Sequence, residues 1–113
     1  MEGNTPMKLF RLSDRRRDGY AAALAHLADR SPRETFYADL FAKHACRARE
    51  ATTLGEIRQV CRAVLSSYGL KDWGVDSQCV LRPDGSLDAE ATNELGEHAE
   101  NVRQRSQLIW WLM

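Results

Sequence analysis

Histidine and cysteine are common ligands of protein-bound transition metals, and the chain holds one close pair of them, His44 and Cys46. Residues two apart project from different sides of a helix, because only residues three or four apart share a face. The chain has three cysteines, an odd number, and none of them lies in a CxxC spacing. We therefore predict no metal and no cofactor, and the unpaired thiols favour a reducing, cytoplasmic environment.

Residues 84–90 place acidic and hydroxyl oxygens at the spacing that opens a calcium-binding loop. Ala89 stands where that loop requires glycine, however, and Leu95 stands where it requires glutamate. A turn followed by a helix cap explains the same residues. Catalysis has no better support, since no spacing sets a serine or cysteine beside a histidine, and the seven glycines are scattered singly. We predict that the protein is not an enzyme.

The charges divide unevenly along a chain whose formal net charge is zero. Residues 1–62 carry 12 basic and 8 acidic side chains, whereas residues 63–113 carry 4 basic and 8 acidic ones. Such asymmetry suits an anionic partner for the first half, or a basic face that lies beside an acidic face in one fold. The densest basic cluster is formed by Arg15, Arg16 and Arg17.

A nucleic acid would be one anionic partner, and it is the alternative function. Residues 32–68 have the proportions of a helix-turn-helix, and their second helix would present three polar side chains to the bases. The same helix carries Glu56 in its first turn, and the second half of the chain is acidic, which phosphate would repel. The residues that would read the bases are Arg58, Gln59 and Arg62.

Two adjacent tryptophans, Trp110 and Trp111, stand near the C-terminus and cannot both lie on one helical stripe. If Val102 is the centre of the inner stripe, about 100° per residue places Trp111 roughly 180° away and Leu108 roughly 240° away. Tryptophan and arginine are enriched at interface hot spots. A helix end that folded back would instead place both rings over the core. The predicted partner-binding residues are Trp110, Trp111, Leu108, Arg15, Arg16 and Arg17.

These observations predict a small, non-enzymatic protein-binding module. Its size and its lack of catalytic motifs are typical of an inhibitor or regulator of a larger bacterial or phage-targeted assembly. The partner is either another protein or a second copy in a homodimer. The longest apolar run, residues 108–113, is far shorter than the roughly 20 residues that cross a bilayer, so we predict no membrane span and no signal peptide.

Residues 53–69 show the strongest helix signal in the sequence, and we expect the other elements to pack around this helix. Its apolar side chains recur three and four apart, Thr53 and Glu56 can form a capping box, and Gly69 can adopt the left-handed conformation that ends a helix. The apolar positions are Leu54, Ile57, Val60, Cys61, Val64, Leu65 and Tyr68.

Three further helices are predicted around it. One runs from Ser13, or only from after Asp18, to about Asp29, one starts at Pro32 with a capping box between Ser31 and Glu34, and a long one follows Asp88. The predicted inner face of the first is Tyr20, Ala23, Leu24, Leu27 and Ala28, and that of the last is Ala91, Leu95, His98, Ala99, Val102, Ile109 and Met113. Residues 78–82, the turn signal at residues 83–85 and Leu87 predict a short hairpin.

The predicted fold class is mainly α: about four helices with a short β-hairpin or small sheet before the C-terminal helix, and α+β as the second choice. Residues 1–113 should form a single compact domain, because a chain of this length can bury one core but not two. Residues 1–6 are small and polar, and we predict that they are disordered.

Overall fold

A computed structural model describes residues 14–33, 36–69, 74–75 and 78–111. Among them are four helices, which confirms the mainly α prediction. The segment predicted to be disordered, residues 1–6, lies outside the described residues, as does Ser13. The helices are α1 (Asp14–Arg30), α2 (Phe36–Glu50), α3 (Leu54–Leu65) and α4 (Ala89–Trp111).

Helix α3 has the predicted start, and four of the seven predicted inner positions are buried on it: Ile57, Val60, Cys61 and Val64. The Thr53 hydroxyl accepts a hydrogen bond from the Glu56 amide, and the Glu56 carboxylate accepts one from the Thr53 amide, so the capping box is complete. Hydrogen bonds from the Thr52 and Thr53 amides and hydroxyls lower the pKa of Glu56. The predicted end at Gly69 is wrong, because the helix stops at Leu65 and Ser66 is its C-cap. Tighter turns follow, in which the Ser67 amide donates to the Val64 carbonyl at 3.0 Å and the Tyr68 amide to the Leu65 carbonyl at 3.2 Å, and Gly69, with a φ of 70°, lies beyond them.

The four helices enclose one apolar core. Helix α1 packs against both α2 and α4, and α3 contacts both α2 and α4. The predicted inner face of α1 is confirmed, and so is the cap of α4, where the Asp88 carboxylate accepts a hydrogen bond from the Ala91 amide at 3.0 Å. The largest fully buried apolar side chains are Tyr20, Phe41, Leu24, Leu27, Ile57, Leu95, Val60, Val64, Val75 and Val102.

The predicted β-hairpin is not supported, since the described residues include no strand. A tight turn forms instead, in which Leu81 and Leu87 make one antiparallel bridge and Gly85 has a φ of 89°. The bridge cannot extend into a ladder because α4 begins at Ala89, and the Val80 amide donates to the Thr92 hydroxyl at 2.9 Å. The α4 helix therefore removes the residues that a longer hairpin would need.

The predicted start of α2 is also wrong. Pro32 and Arg33 are not helical, and α2 begins at Phe36. The Ser31 hydroxyl donates to the Leu27 carbonyl at 2.9 Å, so it serves the end of α1. Glu34, the other member of the predicted capping box, lies outside the described residues. A side chain that can cap the next helix can equally bond to the last turn of the preceding one.

A buried polar contact fixes α1 against α4. The Tyr20 and Ser106 hydroxyls lie 2.6 Å apart, and both residues are fully buried. Burial raises the pKa of Tyr20, so the phenol stays protonated at neutral pH, and either hydroxyl can donate in this hydrogen bond. Ser106 was not among the predicted inner residues of α4, because a serine on an apolar stripe gives no hydrophobic signal.

Removal of the Tyr20 hydroxyl is expected to lower stability. In Tyr20→Phe the Ser106 hydroxyl would lose its buried partner, which costs about 1–3 kcal/mol in the free energy of unfolding. The double variant Tyr20→Phe/Ser106→Ala removes both polar groups and should recover part of that loss. Urea titrations of the two variants check this, and equal additive losses would contradict a coupled pair.

His44 should make stability depend on pH. Its side chain is buried, its Nδ1 has no hydrogen-bond partner among the described residues, and burial and then the charge of Arg47 lower its pKa. Because the unfolded chain binds the proton more readily, the His44 contribution is constant above the unfolded pKa of about 6.5 and is lost as pH falls below it.

The expected result is a free energy of unfolding that falls between pH 7 and pH 5 more steeply in the wild type than in His44→Leu. Denaturant titrations at several pH values measure this difference. The exposed His26 and half-buried His98 are present in both proteins and cancel in the comparison. Parallel pH profiles would show that His44 is not responsible.

Candidate functional site

The helix directions bring the start of α1, the start of α3 and the end of α4 to one end of the molecule. A guanidinium nitrogen of Arg17 donates to the Ala51 carbonyl, just before α3, at 3.3 Å. Gly19 in α1 faces Arg105 in α4, whose guanidinium would lie 3.4 Å from a Cβ at that glycine. Predicted partner-binding residues from separate parts of the sequence, at the start of α1 and the end of α4, therefore lie at the same end of the molecule.

This end is predominantly basic, and we call it the basic end. Among the described residues it carries Arg15, Arg16, Arg17, Arg47, Arg49, Arg58, Arg103 and Arg105, against Asp14, Asp18, Glu50, Glu56 and Glu100, the last of which forms an ion pair with Arg103. The opposite end, which we call the acidic end, carries Asp29, Asp39, Asp84, Asp88, Glu90, Glu94 and Glu97, against Arg30, Arg33, Arg62 and Arg82. The charge asymmetry predicted between the two halves of the chain becomes an asymmetry between the two ends of the fold.

Trp110 and Trp111 have different environments. The Trp110 ring is half-buried, and the Arg58 guanidinium lies over it, 4.4 Å from the ring centre. This cation–π contact ties α3 to α4. Trp111 projects away from the core and is 81% exposed. The chain therefore uses the first tryptophan in packing and presents the second to solvent.

Leu108 and Trp111 form a small apolar patch on the outer side of α4. They are three residues apart, so they share a helical face, and Leu108 is 59% exposed while Ile109 is buried. The outward direction predicted for Trp111 from the helical period is confirmed, and the end of α4 does not fold back over the core. We call Leu108 and Trp111 the apolar patch.

The three arginines at the start of α1 differ in their surroundings. Arg17 is largely buried, forms ion pairs with Asp14 at 3.4 Å and Asp18 at 3.1 Å, and bonds to the Ala51 carbonyl. It therefore holds α1 against the linker before α3. Arg15 and Arg16 are exposed on the same helix. Of the predicted cluster, these two are placed where a partner could reach them.

The residues that would read bases have different surroundings on α3. Arg58 lies over Trp110, and its Nε is buried without a hydrogen-bond partner among the described residues. Gln59 lines a small cavity of about 190 Å³ whose wall includes Arg47 as well as Glu50 and Glu56. Arg62 is exposed four residues after Arg58, on the same side of α3. The two carboxylates beside Gln59 outnumber the one arginine there and would weaken the attraction of a phosphate backbone.

The described part of the chain includes no group of three side chains suited to hold a metal ion, and no helix in it is long and apolar enough to cross a membrane. Burial raises the pKa of the Cys61 thiol to about 11, so the reactive thiolate does not form near neutral pH. Cys46 is an exposed free thiol, and His26 stacks on His98 with ring centres 5.9 Å apart.

Exposed apolar side chains at the acidic end were missed by the sequence analysis. Leu81 and Leu87 flank the tight turn, and Phe36 begins α2 with its ring against Tyr37. The alternation of the turn segment predicted strands, which would have buried one leucine face on the helices.

No protein-family model, curated protein or solved structure matches the chain.

Proposed function

We propose that this chain is a small, non-enzymatic protein-binding module that inhibits or regulates a larger assembly, and that it contacts its partner through the apolar patch on the basic end. The observation that carries the proposal is the exposure of Trp111 on a regular, capped helix of 23 residues. The helix keeps this indole ring exposed to water, so covering the ring with another protein surface would remove apolar area from water and favour binding.

The surroundings of the patch favour a particular kind of partner surface. Trp111 and Leu108 can enter an apolar pocket, while Arg15 and Arg16 can approach carboxylates at the rim of that pocket. Because exposed charges act over about 10 Å at moderate ionic strength, they should speed the encounter more than they strengthen the complex. The partner is thus expected to present an apolar pocket ringed by acidic side chains.

Nucleic-acid binding remains the alternative and has less support. The basic end attracts phosphate in general, but Arg58 is engaged with Trp110 and Arg17 is engaged with Ala51 and two aspartates. Two of the arginines that phosphate contacts would need are therefore committed to the fold. The acidic end would in addition repel any long nucleic acid lying along the molecule.

The test is capture of partner proteins by the wild type and by Leu108→Asp, each with and without nuclease. We expect nuclease-resistant capture by the wild type and a loss of at least tenfold in Leu108→Asp, because the new charge would have to be desolvated in the pocket. Asn93→Asp, which adds the same charge to an exposed site in the first half of α4, is the matched control. Capture that disappears with nuclease would favour the nucleic-acid alternative, and equal capture by all three proteins would remove the patch from the site.

Replacing the two exposed arginines, Arg15 and Arg16, by alanine should slow association with the partner protein. In Arg15→Ala/Arg16→Ala the association rate constant is expected to fall several-fold at low salt, while the dissociation rate constant changes little. Arg17 is kept because its contacts with Ala51, Asp14 and Asp18 stabilise the fold. Surface plasmon resonance at two salt concentrations measures both constants, and an unchanged association rate would show that the arginines do not steer the partner.

A further inference from the structure

The large apolar side chains that the described residues expose lie at the two opposite ends of the molecule. Leu108 and Trp111 lie at the basic end, whereas Phe36, Leu81 and Leu87 lie at the acidic end. Each end thus combines an apolar surface with one sign of charge. The two ends are complementary in charge and alike in having apolar surface to bury.

We propose that the basic end of one molecule docks on the acidic end of a second copy, so that copies join head to tail. This inference rests on the proposed function, since it uses the same apolar patch, and it names a second copy of this chain as the occupant. The leucines of the tight turn would receive Trp111, and nearby carboxylates would face Arg15 and Arg16.

Hydrogen bonds fix the conformation of the tight turn at the acidic end. Leu81 and Leu87 are directly opposite in an antiparallel bridge, so their side chains stand on the same face, and they are 59% and 51% exposed. The Asp84 carboxylate accepts hydrogen bonds from the Ser86 hydroxyl at 2.6 Å and the Ser86 amide at 2.9 Å. These bonds lower the pKa of Asp84, which therefore stays charged beside the leucines.

The separation of the two ends rules out contact within one molecule. Helix α4 has 23 residues and runs from the acidic end to the basic end, which corresponds to about 34 Å at about 1.5 Å per residue. The Trp111 patch of a molecule therefore cannot reach its own tight turn. Only a second molecule can bring the two surfaces together.

Charge decides between head-to-tail and symmetric contacts. In a symmetric dimer through Trp111, the exposed Arg15 and Arg16 of both copies would face each other. A contact between opposite ends instead sets arginines against carboxylates, and it leaves one free basic end and one free acidic end on every open complex. Such heterologous contacts extend into open chains or close into rings, and their formation weakens as salt increases.

The experiment uses two variants that each inactivate one end. Trp111→Ala leaves the acidic end intact, and Leu81→Ser/Leu87→Ser leaves the basic end intact. All three side chains are exposed, so both variants should fold, as thermal melts will verify. Sedimentation velocity then follows the wild type, each variant alone, and an equimolar mixture of the two variants at low and high salt.

We expect the wild-type mass to rise with protein concentration and to fall with salt, each variant alone to be monomeric, and the mixture to stop at a two-chain complex. That complementation is specific to a contact between unlike ends. A leucine variant that dimerises alone would overturn the inference in favour of a symmetric contact. A wild type that stays monomeric at millimolar concentration would overturn it as well.

The two proposals fail in different ways. If the wild type is monomeric but captures another protein through Leu108, the self-association is wrong and the proposed function stands. If the wild type self-associates through Trp111 but captures no other protein, the second copy is the partner and the regulatory role is wrong. If neither binding depends on the apolar patch, both proposals are wrong.

Discussion

A Val64→Asp variant is expected to lose cooperative unfolding altogether. Val64 is fully buried on α3, in the core that all four helices share, and no cation is placed to pair with a carboxylate there among the buried residues. An unpaired charge or an unsatisfied carboxyl at such a site costs several kcal/mol, and a domain has only about 5–15 kcal/mol of total stability.

Circular dichroism and thermal melts measure the effect of Val64→Asp. The matched control is Gln59→Asp, which places the same side chain on the same helix at an exposed position. We expect the control to melt within a few degrees of the wild type. A Val64→Asp protein that still melts cooperatively near the wild-type temperature would show that the side chain can leave the core.

The parts of the fold that sequence could predict are those set by local interactions. The start of α3 depends on the Thr53 and Glu56 capping box, whose members are three residues apart, and its inner face depends on the helical period. The α4 cap at Asp88 is local in the same way. Such features need no knowledge of how helices pack.

The parts that failed depend on contacts between distant residues. Ser106 is buried because it bonds to Tyr20, 86 positions away in the sequence, and a periodic pattern cannot report that partner. Apolar and polar residues alternate in the turn at residues 80–88, as they do in a hairpin. The Val80 amide, however, donates a hydrogen bond to the Thr92 hydroxyl, and α4 starts directly after the turn. In both cases the structure was decided by tertiary contacts that the local sequence pattern does not show.

The candidate site shows the same division. The outward direction of Trp111 follows from the helical period, so it could be predicted from residue spacing alone. The stacking of Arg58 on Trp110 could not, because it requires α3 and α4 to lie side by side with the start of one at the end of the other. The basic end depends on the same arrangement, which collects arginines from all four helices.

Trp111→Ala and Trp110→Ala are expected to separate binding from stability. Trp111 is 81% exposed, so its truncation should change the free energy of unfolding by less than about 0.5 kcal/mol. The same change should weaken partner binding by about 30-fold or more, which corresponds to a hot-spot loss of about 2 kcal/mol. Light scattering or calorimetry with the captured partner, or with a second copy, measures the binding.

Trp110→Ala is the matched control because it removes the same ring one residue earlier. Its indole is half-buried beneath the Arg58 guanidinium, so the change should cost about 1–3 kcal/mol of stability through lost packing and a lost cation–π contact. Well below its melting temperature, that variant should still bind, since the apolar patch of Leu108 and Trp111 stays on the surface. The interface assignment is wrong if the two variants exchange these effects, with Trp111→Ala lowering the melting temperature and leaving binding intact.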